Sequence, residues 1–226
     1  MHVYAHRGAS RERPENTLGA FRRALEVGAF GIELDVHLSK DGVAVVIHDD
    51  TVHRTTNGSG AVAELTLAEL NELEGAAGER IPTLEDVLDL VGTRCAVDIE
   101  VKAAAAARVV LREARRRNGL RWAMSSFDHD VLRLARSMSS VVELWPLVTR
   151  VDSDVLATVR ELRSSVLALN DRSVTRPTVD ELKAEGIGVW TWTVNDPDRA
   201  RTLASWNVHG ICTDDPGAIA RAIGID

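Results

Sequence analysis

Short apolar runs alternate with amphipathic segments along most of the chain. The amphipathic segments repeat their apolar positions every three to four residues, as helices do. The apolar runs begin at eight positions, namely Val3, Gly31, Cys95, Arg121, Val141, Val166, Ile187 and Val208. Because parallel strands need helical crossovers and eight such units close on themselves, the pattern predicts an α/β fold, a (β/α)₈ TIM barrel. A doubly wound open sheet is the alternative, but no Gly-x-Gly-x-x-Gly follows the first strand.

The second strand differs from the others because a hairpin follows it. The turn Asp41-Gly42 separates the strand from a second apolar run, Val43 to Ile47. From Thr51 to Glu64 the chain is polar, Gly-rich and irregular, and a brief helix capped by Thr66 follows. We therefore predict a short excursion after the second strand, within a single barrel domain formed by residues 1–226.

Two carboxylates lie in the buried second strand. Glu33 and Asp35 are two residues apart, and alternate side chains of a strand point to the same face. Burying both without a partner costs several kcal/mol each, by order of magnitude. The strand therefore predicts a nearby metal ion, Arg or Lys. Glu100 and Lys102 repeat the same spacing one strand further along.

The carboxyl ends of barrel strands meet at one mouth, where active sites form. Oxygen ligands from Glu33, Asp35 and Glu100, with no Cys or His cluster at zinc spacing, indicate one divalent cation, Mg²⁺ or Ca²⁺. Cations beside such a metal suit an anionic phosphoryl group. Candidates for phosphate binding are Arg7 and Lys102, and candidates for proton transfer on opposite sides of the phosphorus are His6 and His48.

Composition limits which binding partners and which cellular compartment we predict. The chain has 45% hydrophobic residues and a net charge of −7, so we expect no general affinity for nucleic acid or anionic membranes. Cys95 and Cys212 both lie in apolar runs, which favours free thiols and a reducing compartment. No charged and apolar leader opens the chain, and no window of about 18 apolar residues is present. We predict a soluble, cytoplasmic protein without stable membrane association.

Eleven short motifs resemble those of the glycerophosphodiester phosphodiesterase family, in the family's order and over nearly the whole chain. They are His6-Arg-Gly-Ala-Ser10, Pro14-Glu-Asn-Thr17, Gly31-Ile-Glu-Leu-Asp-Val36, Asp41-Gly-Val43, His48-Asp49, Arg54-Thr-Thr-Asn-Gly58, Ile81-Pro-Thr-Leu84, Ile99-Glu-Val-Lys102, Ser126-Phe127, Trp192-Thr-Val-Asn195 and Thr213-Asp214. The resemblance implies a (β/α)₈ barrel with a small insertion after the second strand, roughly residues 50–80. It implies hydrolysis of glycerophosphodiesters to glycerol 3-phosphate and an alcohol. It also implies that the carboxylates of Glu33, Asp35 and Glu100 bind the metal. His6 and His48 would form the acid/base pair, and Arg7 and Lys102 would hold the phosphate.

Several points stay open on the sequence alone. The charged run Arg11-Glu12-Arg13 departs from the family pattern at the mouth, and so does the short segment after Lys102, so the leaving alcohol is not predicted. Phe127 and Trp192 either line the substrate cleft or only pack at the rim. The nucleophile is water or the 2-hydroxyl of the substrate's glycerol. Alternatives are a lysophospholipase D-like activity, a silent barrel that binds glycerophosphate, and another metal-dependent barrel enzyme. The oligomeric state is not predicted.

For two further residues on the inward face of these strands we predict no catalytic or metal-binding role. Asp98 shares the face of Glu100 but lies deeper, so we interpret it as an interior hydrogen-bonding group rather than a ligand. His37 shares the face of Glu33 and Asp35 but comes at a turn, so we expect it to be exposed.

Overall fold

Eight parallel strands form a closed barrel in the computed structural model, which describes residues 1–225. The strands are β1 His2–His6, β2 Gly31–Leu38, β3 Ala44–Val46, β4 Ala96–Val101, β5 Trp122–Ser126, β6 Glu143–Val148, β7 Val166–Asn170, β8 Gly188–Trp192 and β9 Gly210–Thr213. Their order is β1-β9-β8-β7-β6-β5-β4-β2, and pairing of β1 with β2 closes the ring. The remaining strand, β3, pairs antiparallel with β2 as the outer arm of a hairpin. The predicted TIM barrel is confirmed.

A helix follows each barrel strand, and one extra helix lies in the insertion. The helices are α1 Leu18–Glu26, α2 Leu67–Asn71, α3 Leu84–Val91, α4 Ala104–Arg115, α5 His129–Met138, α6 Ser153–Glu161, α7 Arg176–Ala184, α8 Pro197–Ser205 and α9 Pro216–Ala222. Side-chain caps fix where many of them begin: Thr17 accepts from the backbone of Ala20 at the start of α1, and Thr83 forms a capping box with Asp86 at the start of α3. None of the helices in residues 1–225 is long and apolar enough to cross a membrane.

Apolar side chains fill two regions of the barrel. Between strands and helices they form the main core, which includes Leu34, Ile99 and Phe21, all fully buried. Inside the barrel, Tyr4, Trp145 and Trp190 pack with ring centroids 5.7–5.8 Å apart. Beyond these rings, towards the carboxyl ends of the strands, His6 follows Tyr4 on the same face of β1 and pairs with Glu33.

The strand register brings the inward-facing polar residues side by side. Glu33 on β2 is opposite His6 on β1 and opposite Asp98 on β4. Two residues further along, Asp35 is opposite Glu100, and Glu100 is opposite Ser125 on β5. Parallel strands lie about 4.8 Å apart, so these side chains are direct neighbours across the sheet.

The insertion packs on the hairpin with an apolar cluster of its own. This cluster consists of Val45, Ile47, Val52, Val62, Leu70 and Ile81. His37 still lies within β2, where it pairs with Val45 of β3, and it is only partly exposed, with its Nε2 3.1 Å from the carbonyl oxygen of His48. The expectation that His37 is exposed is therefore wrong. That residues 1–226 form a single domain stays a prediction, and Asp226 lies outside the described residues.

Candidate active site

Three carboxylates and two cations meet at the carboxyl ends of β1, β2 and β4. One oxygen each from Glu33, Asp35 and Glu100 lies within 4.8 Å of the others. Lys102 Nζ is 2.7 Å from Asp35 Oδ1 and also contacts Glu100. The backbone N–H of Arg7 donates to Glu33 Oε2 at 3.0 Å. The side-chain Nε of Arg7 lies 3.3 Å from Asp35 Oδ2. The predicted pairing of buried acids with cations is present.

The charges of this cluster do not balance. Burial raises the pKa of Glu33 well above its usual range, and the nearby Asp35 and Glu100 raise it further. Burial would also raise the pKa of Asp35, but Lys102 and Arg7 outweigh it and lower that pKa to about 2. If all three acids were ionised, the two cations would leave one negative charge without a partner, which together with burial accounts for the raised pKa of Glu33. All three acids offer the hard oxygen donors that a divalent cation binds. The cluster therefore fits a divalent metal ion.

His6 lies at the end of β1, where a network of polar side chains holds its ring. Its Nδ1 is 2.6 Å from Asp214 Oδ1, on a residue that immediately follows β9. Asn195 donates to the other Asp214 oxygen at 2.6 Å, and the Ser10 hydroxyl donates to Oδ1 at 3.2 Å. Burial opposes these contacts, yet they lower the pKa of Asp214. The carboxylate thereby orients the imidazole and leaves Nε2 for other contacts.

His48 has a comparable partner but a different setting. Its Nδ1 is 2.6 Å from Oδ1 of the next residue, Asp49. Arg54, from the insertion, donates to both Asp49 oxygens at 2.7 and 3.0 Å and also to Glu15. Contacts with Arg54 first, and with His48, lower the pKa of Asp49. Each histidine is therefore joined to one carboxylate through Nδ1.

Two residues of the site adopt the left-handed backbone conformation. Arg7 and Asn16 both have φ of 56°, which is uncommon for residues with a side chain. The Asn16 N–H donates to the Arg7 carbonyl at 2.9 Å, and the Asn16 side chain donates to Asp35 Oδ2 at 2.8 Å. These two residues hold the loop between β1 and α1 against the acidic cluster. Strained backbone of this kind is common at functional sites.

A cavity of about 90 Å³ lies over the cluster inside the barrel; we call it the inner cavity. Of the nine site residues predicted from the sequence, eight line it, and the fully buried Asp35 lies behind them. Phe127 and Trp192 meet edge to face at its rim, 5.3 Å between centroids. The structure thus places both aromatics at the cleft.

Asp98 lies deeper in the same cavity and is fully buried, as predicted. Burial raises the pKa of this carboxyl to about 8; Ser125 lowers it, and Glu100 and Asp35 raise it further. The Ser125 hydroxyl is close enough to act on this carboxyl by a hydrogen bond, although neither Asp98 oxygen makes a hydrogen bond of good geometry within residues 1–225, so the interior hydrogen-bonding role stays a prediction.

A larger cavity of about 550 Å³ adjoins the site between the loop that precedes α1 and the insertion; we call it the outer cavity. His48 lines both cavities. Glu15, Arg54, Glu79 and Arg80 give the outer cavity a charged lining. A group leaving from the neighbourhood of His48 therefore has a polar space beside it.

The sequence matches the model of the glycerophosphoryl diester phosphodiesterase family over residues 6–218. The chain belongs to this family. A glycerophosphodiester phosphodiesterase of Caldanaerobacter subterraneus subsp. tengcongensis is 35% identical, covering 98% of this chain and 97% of the relative. One of Bacillus altitudinis is 33% identical, covering 95% and 94%. The family and enzyme class that the motifs indicated are confirmed.

Solved structures of the family show the same fold. A phosphodiesterase of Oleispira antarctica, in complex with the product sn-glycerol-3-phosphate, superposes with a TM-score of 0.95. It is 28% identical, and the alignment covers 99% of this chain and 97% of that one. A glycerophosphodiester phosphodiesterase of Thermotoga maritima is 30% identical with a TM-score of 0.83, covering 98% and 97%.

Four residues of this family member contact the predicted site residues without having been assigned a role from the sequence. Asp214 and Asp49 hold the histidines, Asn16 contacts Asp35, and Glu15 joins Arg7 to Arg54. All four lie in motifs that the sequence displayed. Their positions at strand ends or beside another motif indicated that they lie near the site. Sequence position alone does not predict which side chain each one contacts.

Proposed function

We propose that the protein is a metal-dependent phosphodiesterase that hydrolyses glycerophosphodiesters to glycerol 3-phosphate and an alcohol. One observation carries this proposal: two histidines, each held by an aspartate, flank a buried three-carboxylate cluster with Arg7 and Lys102 in one cavity. Family membership and the glycerol 3-phosphate complex of the Oleispira antarctica relative support the substrate class. The substrate is accordingly a small phosphodiester.

Glu33, Asp35 and Glu100 would hold one divalent cation, Mg²⁺ or Ca²⁺, since their oxygens suit hard cations. When bound, this ion supplies Lewis-acid polarisation of the phosphoryl group and neutralises charge in the transition state. Arg7 and Lys102 bind the phosphoryl oxygens and offset the same charge. Their contacts with the acidic cluster hold both side chains at the cavity before substrate arrives.

The two histidines move the protons. His6 takes a proton from the nucleophile at Nε2, because its Nδ1 is engaged with Asp214. His48 gives a proton to the departing oxygen, and its position between the two cavities lets the alcohol leave through the outer one. The nucleophile is water or the glycerol 2-hydroxyl, and His6 serves either. Phe127 and Trp192 contact the carbon atoms of the glycerol part at the rim.

A non-catalytic glycerophosphate-binding barrel is less well supported, because every residue of the proposed machinery is retained. We also propose a cytoplasmic location. Cys95 and Cys212 are free and buried, which suits a reducing compartment.

The reaction is tested by release of glycerol 3-phosphate from a panel of glycerophosphodiesters, with Mg²⁺, Ca²⁺ or a chelator present. We expect release with one of the two cations and none with the chelator. Metal-replete protein that cleaves no member of the panel would refute the proposed activity.

Glu33→Gln tests the cation site independently of turnover. Removing one carboxylate charge from the cluster weakens divalent-cation binding by about 10-fold or more, measured by calorimetric titration of the metal alone. Glu113→Gln, on a partly buried glutamate of α4 far from the cluster, serves as the control and keeps the wild-type affinity. An unchanged affinity in Glu33→Gln would show that the ligand assignment is wrong.

A further inference from the structure

One polar residue beside the site takes no part in the chemistry described so far. His37 lies on β2, two residues beyond Asp35 and on the same face of the strand. It lines neither the inner nor the outer cavity, so it does not meet a substrate bound there. Its side chain is partly buried, and its one hydrogen bond within residues 1–225 goes to His48. His37 can therefore act on the reaction only through its neighbours.

The contact joins a side chain of the barrel to the backbone that follows the hairpin. His37 Nε2 lies 3.1 Å from the carbonyl oxygen of His48. A carbonyl oxygen accepts hydrogen bonds and cannot donate them, so Nε2 must carry the hydrogen and donate it. The contact therefore also fixes the tautomer of His37, because in the neutral ring the hydrogen is on Nε2 and not on Nδ1.

The His48 backbone has few other contacts that hold it against β2. The hydrogen bond from the Ile47 N–H to the Asp35 carbonyl, at 3.1 Å, is the last backbone link between the two arms of the hairpin. No other donor within residues 1–225 reaches the His48 carbonyl. The His48 ring is held by Asp49, but that residue is the next one in the chain. The hydrogen bond from His37 is therefore the direct link between His48 and the strand of the acidic cluster.

We infer that His37 is a positioning residue for His48. Its hydrogen bond sets the distance between the His48 backbone and β2, the strand that carries Glu33 and Asp35. This role rests on the proposed function, in which His48 protonates the departing oxygen. A proton donor must lie within about 2.6–3.2 Å of the atom that it protonates, so a small shift of its backbone lowers its contribution. Loss of the hydrogen bond should then slow only the step that needs this proton.

Two substitutions separate the hydrogen bond from the bulk of the side chain. His37→Phe keeps a planar ring but has no N–H to donate, whereas His37→Gln keeps an N–H donor at the end of the side chain. We expect kcat for glycerophosphocholine to fall by about 10-fold or more in His37→Phe, because a small misplacement of a reacting group is costly. His37→Gln should recover most of this loss. A wild-type rate in His37→Phe, or a His37→Gln variant that is equally slow, would overturn the inference.

The leaving group separates positioning of His48 from a general structural role. The departing oxygen of a p-nitrophenol ester of glycerol 3-phosphate needs little protonation, so His37→Phe should cleave this ester at close to the wild-type rate. Damage to the fold, or displacement of a metal-binding carboxylate, would slow cleavage of both esters. Equal losses on the two esters would therefore contradict the inference.

His129→Phe is the matched control. His129 is also partly buried, and its Nε2 lies 3.3 Å from the carbonyl oxygen of Leu147 on β6. The substitution thus removes the same kind of contact with a backbone carbonyl, away from His48. We expect this variant to keep the wild-type ratio of the rates on the two esters. If its ratio changed as much as that of His37→Phe, the effect would not be specific to His48 and the inference would fail.

A double variant distinguishes failure of this inference from failure of the proposed function. If His37 acts through His48, His37→Phe adds no further loss to that of His48→Ala on glycerophosphocholine. Losses that multiply would mean that His37 acts by another route, such as the nearby Lys102, and would contradict the inference alone. A His48→Ala variant with full activity would instead contradict the proposed acid, and the positioning role with it.

Discussion

The two histidines of the site have the same kind of partner but stand on different parts of the molecule. His6 ends a barrel strand, and its aspartate lies 208 residues away beside the last strand, held by Asn195 and Ser10. His48 follows the hairpin, and its aspartate is the next residue, held by Arg54 of the insertion. The His6 side chain is 21% exposed and that of His48 is 36% exposed. Closure of the barrel therefore positions one of the two proposed proton-transfer groups, and contacts with the insertion hold the partner of the other.

This difference gives the insertion a role in the site. Arg54 contacts Asp49 and Glu15, and Glu15 in turn accepts from Arg7 at 2.8 Å. Ion pairs therefore run from the insertion to the acidic cluster. The insertion aligns His48 with a barrel that already holds His6.

Replacing either histidine by alanine should have the largest effect. A positioned acid or base contributes about 10²- to 10⁴-fold to rate, so we expect a loss of that order in kcat for His6→Ala and for His48→Ala on glycerophosphocholine. His53→Ala, on an exposed histidine of the insertion, is the control and should retain activity. If one of the two site variants kept full activity, the two histidines would not form an acid/base pair.

Asp214→Asn should change how the free energy of unfolding depends on pH. The pKa of Asp214 is lowered in the folded protein, so its charge stabilises the fold above the pKa of an unfolded Asp, about 3.9. That contribution disappears as pH falls through the folded pKa. We therefore expect the variant to be less stable than wild type at pH 7, by urea unfolding, with the difference shrinking below about pH 4. A difference that stays constant from pH 7 to pH 3 would contradict the assigned contacts.

Arg54→Ala should have the smallest effect. The Arg54 side chain is 46% exposed, and exposed ion pairs contribute about 0–1 kcal/mol, which corresponds to at most about fivefold in kcat/KM. High salt should remove the difference from wild type by screening. Arg176→Ala, which breaks an exposed pair on α7, is the control and should not alter kcat/KM. A loss above 100-fold would mean that Arg54 acts on the substrate itself.

The fold could be predicted because each barrel unit is encoded locally. The alternation of apolar runs and amphipathic segments marks each strand and helix, and β2 and β7 begin at the predicted Gly31 and Val166. Other strand starts differ by a residue or two, as for β9, which begins at Gly210 rather than at Val208. The i, i+2 spacing of Glu33 and Asp35 was enough to place both on one face.

Contacts between distant segments could not be predicted in the same way. Nothing in the periodicity of β9 says that the residue after it holds His6, because that pairing depends on how the barrel closes. His37 was expected at the surface because it comes just before a turn, but it lies within β2, pairs with Val45 of β3 and contacts the His48 carbonyl oxygen. The position of Ser125 beside Asp98 likewise emerges only from the full set of neighbours.

The most direct test of unequal roles for the histidines varies the leaving group. A p-nitrophenol ester of glycerol 3-phosphate needs little protonation of its departing oxygen, whereas the choline ester needs it. If His48 is the acid, His48→Ala should cleave the p-nitrophenyl ester at close to the wild-type rate while remaining slow on the choline ester. His6→Ala should be slow on both. Equal recovery of the two variants, or recovery of neither, would contradict the account.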